Sequence, residues 1–142
     1  MRDVAIFGTG MLRVSEYWDL SVIDLAGRAA LEALNDAGLE RVDALLVTNM
    51  LSAFHTTGQL NLGARVADWI GLHGIEAYKI EAACGSGGAG FRAAWTAVGS
   101  GAIDLALVVG VEKMTETPGP EITAGLAMAA DADFEVPMGP SF

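Results

Sequence analysis

The sequence predicts an α/β fold: a mostly parallel sheet with helices on both faces, in the order β-α-β-α-β-α-β. Three observations carry this. Short apolar runs alternate along the chain with stretches of helical spacing. Runs such as Leu105 to Val109 are apolar without a break, as in strands covered on both faces. Glycines stand where each helix should stop, at Gly38, Gly71 with Gly74, and Gly99.

Val4-Ala5-Ile6-Phe7, followed by Gly8-Thr9-Gly10, reads as a buried first strand ending in a turn. Ser21 and Asp24 form a capped helix start. Ile23, Ala26, Ala30, Leu34 and Ala37 then recur at helical spacing up to Gly38. Val42 to Thr48 is the second strand, and a loop from Met50 to Gly58 follows it. Leu60 to Ile70 is a shorter helix with Leu60, Ala64, Ala67 and Ile70 on one face. Ala77 to Ile80 is the third strand, Phe91 to Val98 the third helix and Ile103 to Val111 the fourth strand. That last strand has no later strand to pair with. A missing strand or a partner chain is expected to cover its apolar edge. Past Thr115 the chain is rich in Pro and Gly, with room for one short helix around Ile122 to Ala130.

Composition narrows the function. A net charge of -10 argues against a nucleic-acid groove, which needs a basic stripe. Charged residues make up only 18%, below the usual ~25%, which suggests surface covered by another chain or domain. No apolar run is long enough for a membrane span, because Asp104 and Glu112 interrupt the longest ones. The N-terminus lacks the apolar core of a signal peptide. A single cysteine excludes an intrachain disulfide framework and suits a reducing compartment, so the protein reads as cytoplasmic. No His/Cys/Asp cluster has ligand spacing, so no metal site is expected.

Cys84 is the candidate catalytic residue. It lies in Glu81-Ala82-Ala83-Cys84-Gly85-Ser86-Gly87-Gly88-Ala89-Gly90, between a strand and a helix. The first N–H groups of a helix lack internal partners and its dipole is positive there, so that end stabilises a thiolate. The glycines let a bulky reactant approach and leave N–H groups to face an oxyanion. A rival reading takes Gly85, Gly87 and Gly90 as a G-x-G-x-x-G fingerprint of a Rossmann-like dinucleotide-binding module, with Glu112 as the ribose-binding acid. That fingerprint normally opens the fold, whereas here it follows the third strand. His55 and His73 are lone loop histidines, and a solvated or structural role is the plainer reading of each. Met50, Met114 and Met128 read as packing residues, and Trp18, Trp69 and Trp95 as core or interface anchors.

Two segments in register resemble the thiolase family, in its archaeal and sterol-carrier-protein-type branch. Glu81 to Gly87 is similar to the thiolase nucleophile motif, and Gly110-Val111-Glu112-Lys113-Met114 to the Gly-x-Glu-x-Met segment after the fourth strand. The resemblance implies an acyl-CoA acyltransferase of lipid metabolism. Cys84 would carry the acyl group as a thioester, in Claisen condensation or thiolytic cleavage. Coenzyme A and acyl-CoA are then substrates, and no covalently bound cofactor is implied. No residue is assigned to coenzyme A binding. Only the first half of a thiolase is matched: the Asn-Glu-Ala-Phe segment, the histidine segment and the second cysteine are absent.

The division expected is therefore an α/β core over residues 1–115 and an irregular segment over 116–142 leading toward an absent loop domain. On this reading the chain is a fragment or one subunit of a split enzyme, inactive alone. It would pair as a homodimer, through Ala77 to Ile80, or as a hetero-oligomer with a chain supplying the C-terminal half. In some related systems a small OB-fold protein assists coenzyme A binding, which makes such a protein a further candidate partner. A non-catalytic assembly subunit is the third reading.

Overall fold

The computed structural model describes residues 1–53 and 56–139. Three parallel strands form the sheet: β1 (Ala44–Thr48), β2 (Glu76–Ile80) and β3 (Ala106–Gly110). Their order is β2-β1-β3. Ala44 faces Glu76 on one side and Ala106 on the other, and Thr48 faces Ile80 and Gly110. β1 is buried along its whole length, as the unbroken apolar run Ala-Leu-Leu-Val demands.

Helices α1 (Val22–Ala37) and α2 (Leu62–Trp69) cover one face, and α3 (Ser86–Ser100) covers the other. Leu45, Val47, Leu107 and Val109 point to the α1/α2 side. Leu46, with Val108 beside it, points to α3. The expectation of a parallel sheet with helices on both faces holds.

α1 begins as its sequence predicts. The Ser21 hydroxyl accepts the Asp24 N–H at 3.1 Å, and the Asp24 carboxylate accepts the Ser21 N–H at 2.8 Å and its O–H at 2.6 Å. These bonds, the hydroxyl's first, hold the Asp24 carboxyl below its ordinary value. Gly38 closes the helix in the left-handed conformation, φ 66°, where a Cβ is disfavoured. Val22, Ala26, Ala30 and Leu34 form the buried stripe.

Four readings need correction. Val4 to Phe7 is not a strand. Both edges of β1 are already taken by β2 and β3, and the run finds no sheet partner among the described residues. Ile6 and Phe7 remain 70% and 69% exposed. The N-terminal arm is instead pinned at points along the helices. Arg2 N–H donates to Gly99 O at 2.9 Å, Thr9 N–H to the Asp36 carboxylate at 2.8 Å, and Met11 N–H to that of Glu32 at 2.8 Å.

The buried face of α2 is also displaced. Leu62, Gly63, Val66 and Ala67 are buried, while Leu60 and Ala64 are exposed. The helix lies so close to β2 that a Cβ on Gly63 would sit 2.4 Å from the Tyr78 nitrogen, which turns the Gly63 side inward. α3 runs past Gly99 and is capped by Gly101, φ 84°. Gly99 is buried and receives the Met1 side chain. Finally, the short helix of the last segment is α4 (Gly119–Ala127), three residues before the expected start, because Pro118 and Pro120 fix the backbone of its first turn.

β3 pairs only with β1, so its outer edge, like that of β2, has no strand partner among the described residues. At the start of the strands the Asp43 carboxylate accepts the Leu105 N–H at 2.9 Å and the Asp104 N–H at 2.8 Å. The Leu105 bond first, then that of Asp104, holds the Asp43 carboxyl below its ordinary value.

Candidate active site at the head of the third helix

Cys84 lies just past the C-terminal end of β2, in a 3-10 turn (Ala83–Gly85) that runs directly into α3. The α-helix proper starts at Ser86, two residues past Cys84 and five before the Phe91 at which the sequence reading begins it. The thiol is free and exposed.

The turn is held by residues that the sequence reading passed over. Ser86 is buried. Its hydroxyl accepts the Ala82 N–H at 2.8 Å and donates to Ala83 O at 2.7 Å. The Glu81 carboxylate accepts the Ala83 N–H. Ala83 itself is left-handed, φ 47°. A left-handed alanine has no sequence signal, since residues with a Cβ avoid that region.

Gly90 sets the distance between α3 and the sheet. A Cβ there would lie 2.2 Å from Thr48 Cγ2 in β1. Gly85, Gly87 and Gly88 differ: a Cβ on any of them meets nothing within 4 Å. Neither packing within the described residues nor a positive φ requires glycine at those positions.

Beside the turn lies a cavity of about 250 Å3, lined by Met50, Leu51, Lys79, Glu81, Ala83 and Met128 among others. Cys84 is not part of its wall. Met50 and Met128, expected as packing residues, face this space. Across the C-terminal end of the sheet, Asn49 donates to Val111 O at 2.8 Å and accepts the Ser52 N–H at 3.1 Å.

Glu112 accepts the N–H groups of Met50 and Leu51. The carboxylate is thus committed to the loop after β1, which removes the ribose-binding acid that the dinucleotide reading needs. Lys113 is buried and pairs with Glu116 at 2.6 Å. His73 sits exposed in the turn before β2, at the opposite end of that strand from Cys84. His55 lies outside the described residues. No group of three His, Cys, Asp or Glu side chains could hold a metal ion among the described residues. No described helix is long and apolar enough to cross a membrane. Of the tryptophans, Trp69 packs on Gly27 of α1, Trp95 is half-buried with Arg92 stacked 4.6 Å above it, and Trp18 is exposed.

Similarity to known proteins agrees with this geometry. Residues 4–135 match the profile of the thiolase N-terminal domain. The chain is 40% identical to the acetyl-CoA acetyltransferase of Methanothermobacter thermautotrophicus, in an alignment that covers all of this chain and 37% of that protein. The chain thus spans little more than a third of the length of that relative. Among solved structures, acetyl-CoA acetyltransferase from Syntrophomonas wolfei superposes with a TM-score of 0.68 over 80% of this chain and 29% of its own, at 21% identity, a likeness of fold. The 3-oxoacyl-(acyl carrier protein) synthase III of Pseudomonas aeruginosa PAO1 superposes with a TM-score of 0.61 at 36% identity, over 75% of this chain and 33% of its own.

Proposed function

Because this chain belongs to the thiolase N-terminal domain family, we propose that Cys84 accepts an acyl group from an acyl-CoA thioester. The Cys84 sulfur attacks the carbonyl carbon and forms a new carbon–sulfur bond. The bond from that carbon to the coenzyme A sulfur breaks, and the proton of the Cys84 thiol ends on the departing coenzyme A thiol. The acyl group then passes to the enolate of a second acyl-CoA, forming a carbon–carbon bond as the bond to the Cys84 sulfur breaks. In thiolytic cleavage the sulfur instead attacks the 3-oxo carbon of a 3-oxoacyl-CoA, the C2–C3 bond breaks to release an acyl-CoA, and coenzyme A sulfur then takes the acyl group from Cys84. Coenzyme A is a substrate here, not a resident cofactor.

The observation that carries this reading is the exposed thiol on the turn between β2 and α3. An acyl donor can reach it, and the Cys84 N–H at the helix entrance is suited to stabilise the oxyanion. The groups that complete the reaction are placed outside residues 1–142, in the same protein or in a hetero-oligomeric partner. The open space around Gly87 and Gly88 and the outer edge of β2, unpaired among the described residues, support coverage by further protein, including a second copy along that edge. The need for a free thiol supports a reducing, cytoplasmic setting.

Intact-mass measurement after incubation with acetyl-CoA tests the proposal. Uptake of a single acetyl group, lost in Cys84→Ser, is the expected result. A folded chain that takes up no acetyl group, with a thiol that iodoacetamide modifies only sluggishly near neutral pH, would refute it.

A further inference from the structure

We propose that Glu81 is a positioning residue for Cys84, acting through the Ala83 N–H; the proposal rests on the reading of Cys84 as acyl carrier. A left-handed alanine persists only where its surroundings over-determine it. Here the peptide groups on both sides of Ala83 are held. The Glu81 carboxylate takes its N–H, and the Ser86 hydroxyl donates to its carbonyl oxygen at 2.7 Å.

The consequence reaches the nucleophile through covalent geometry. The Ala83 carbonyl and the Cys84 N–H lie in one rigid peptide plane. Whatever fixes Ala83 therefore fixes where the Cys84 N–H points, and that N–H is the oxyanion donor of the proposed reaction. The two clamps differ in kind. Ser86 is buried beneath the turn, whereas Glu81 is exposed and shares a cavity wall with Lys79 and Ala83. Glu81 is thus the half of the clamp that the surroundings of the site can reach.

The test compares the native chain with Glu81→Ala, which loses the acceptor, and Glu81→Gln, which keeps one without the charge. Acetyl transfer from acetyl-CoA depends on the oxyanion donor, whereas alkylation by iodoacetamide does not. Glu81→Ala is expected to slow acetylation about tenfold while alkylation changes far less, and Glu81→Gln to stay near the native rate. Native acetylation in Glu81→Ala overturns the proposal. So does an equal loss in both variants, which would implicate the charge instead of the hydrogen bond.

Amide exchange at Ala83 supplies a readout independent of acyl transfer. Protection is expected in the native and Gln chains and its loss in Glu81→Ala, or in Glu81→Val should the Ala chain not fold. If the native chain takes up no acetyl group, the carrier reading fails by itself. The exchange result then decides the positioning proposal, and unchanged protection overturns it.

Discussion

Placing alanine at position 90 should destabilise the chain although helix propensity favours it. In a helix interior Gly→Ala gains about 0.8–1 kcal/mol. At Gly90 the new Cβ would lie 2.2 Å from Thr48 Cγ2. That is roughly 1.3 Å short of an ordinary carbon–carbon contact. The obstructing methyl belongs to a β-branched side chain, stiff at χ1, on the buried central strand. Its hydroxyl is further tied to Val109 O at 3.4 Å. α3 must therefore retreat, and overpacking of this kind costs about 1–3 kcal/mol, which after the propensity gain leaves Gly90→Ala up to about 2 kcal/mol less stable.

Thr48→Ser removes that methyl and keeps the hydroxyl. The nearest remaining neighbours stand at 3.4 Å, Val108 Cγ1, and 3.7 Å, the Cβ of residue 48, both ordinary contacts. In the Thr48→Ser background Gly90→Ala should then stabilise by up to about 1 kcal/mol, a coupling of about 2 kcal/mol between the two sites. Gly88→Ala, which meets open space, should stabilise the native chain by about 0.5–1 kcal/mol. Urea unfolding followed by circular dichroism measures all five proteins. A neutral or stabilising Gly90→Ala in the native chain, or the same loss in both backgrounds, would refute the claim that α3 is seated by this contact.

Three further outcomes are expected. Ser21→Ala removes the hydroxyl half of the capping box and should cost about 1 kcal/mol by the same unfolding assay. Leu45→Ala, in the fully buried centre of β1, should cost about 2–5 kcal/mol, and a loss under 1 kcal/mol would contradict its place in the core. Asp24 and Asp43 are held below the ordinary carboxylate value of 3.8. Their contribution is complete above 3.8 and is lost as pH falls through the lower folded values, because the unfolded chain binds those protons first. Stability measured down an acid series should therefore fall below that value, and less steeply in Asp43→Asn.

What the sequence disclosed follows from the range of its signals. The Ser21/Asp24 box and Gly38 act within a few residues, and both ends of α1 were readable. β1 and β3 were readable as dense apolar runs, and β2, Glu-Ala-Tyr-Lys-Ile, from its aromatic and β-branched residues. The failure at Val4 to Phe7 has the opposite cause. Being a strand depends on pairing with a distant edge, which no local pattern records: β1 has both edges taken, and the run does not add to the outer edge of β2 or of β3. The face of α2 turned on Gly63 meeting the Tyr78 backbone, and the end of α3 on Gly99 receiving Met1; both are contacts between distant segments. At the candidate site Cys84 was legible from its flanking strand and helix. The Glu81 and Ser86 clamp was not, because it answers to a backbone conformation that alanine rarely adopts.

The sheet order bears on how the chain comes into being during synthesis. β1 is made early and lies in the middle, but its second neighbour is β3, which the ribosome delivers only after α2, β2 and α3. Through that interval the strand that ends up most deeply buried can zip up on one side alone. Between the completion of β2 and the arrival of Ala106 that half-finished sheet leaves one edge of β1 open, the kind of unpaired edge that exposes a nascent chain to aggregation.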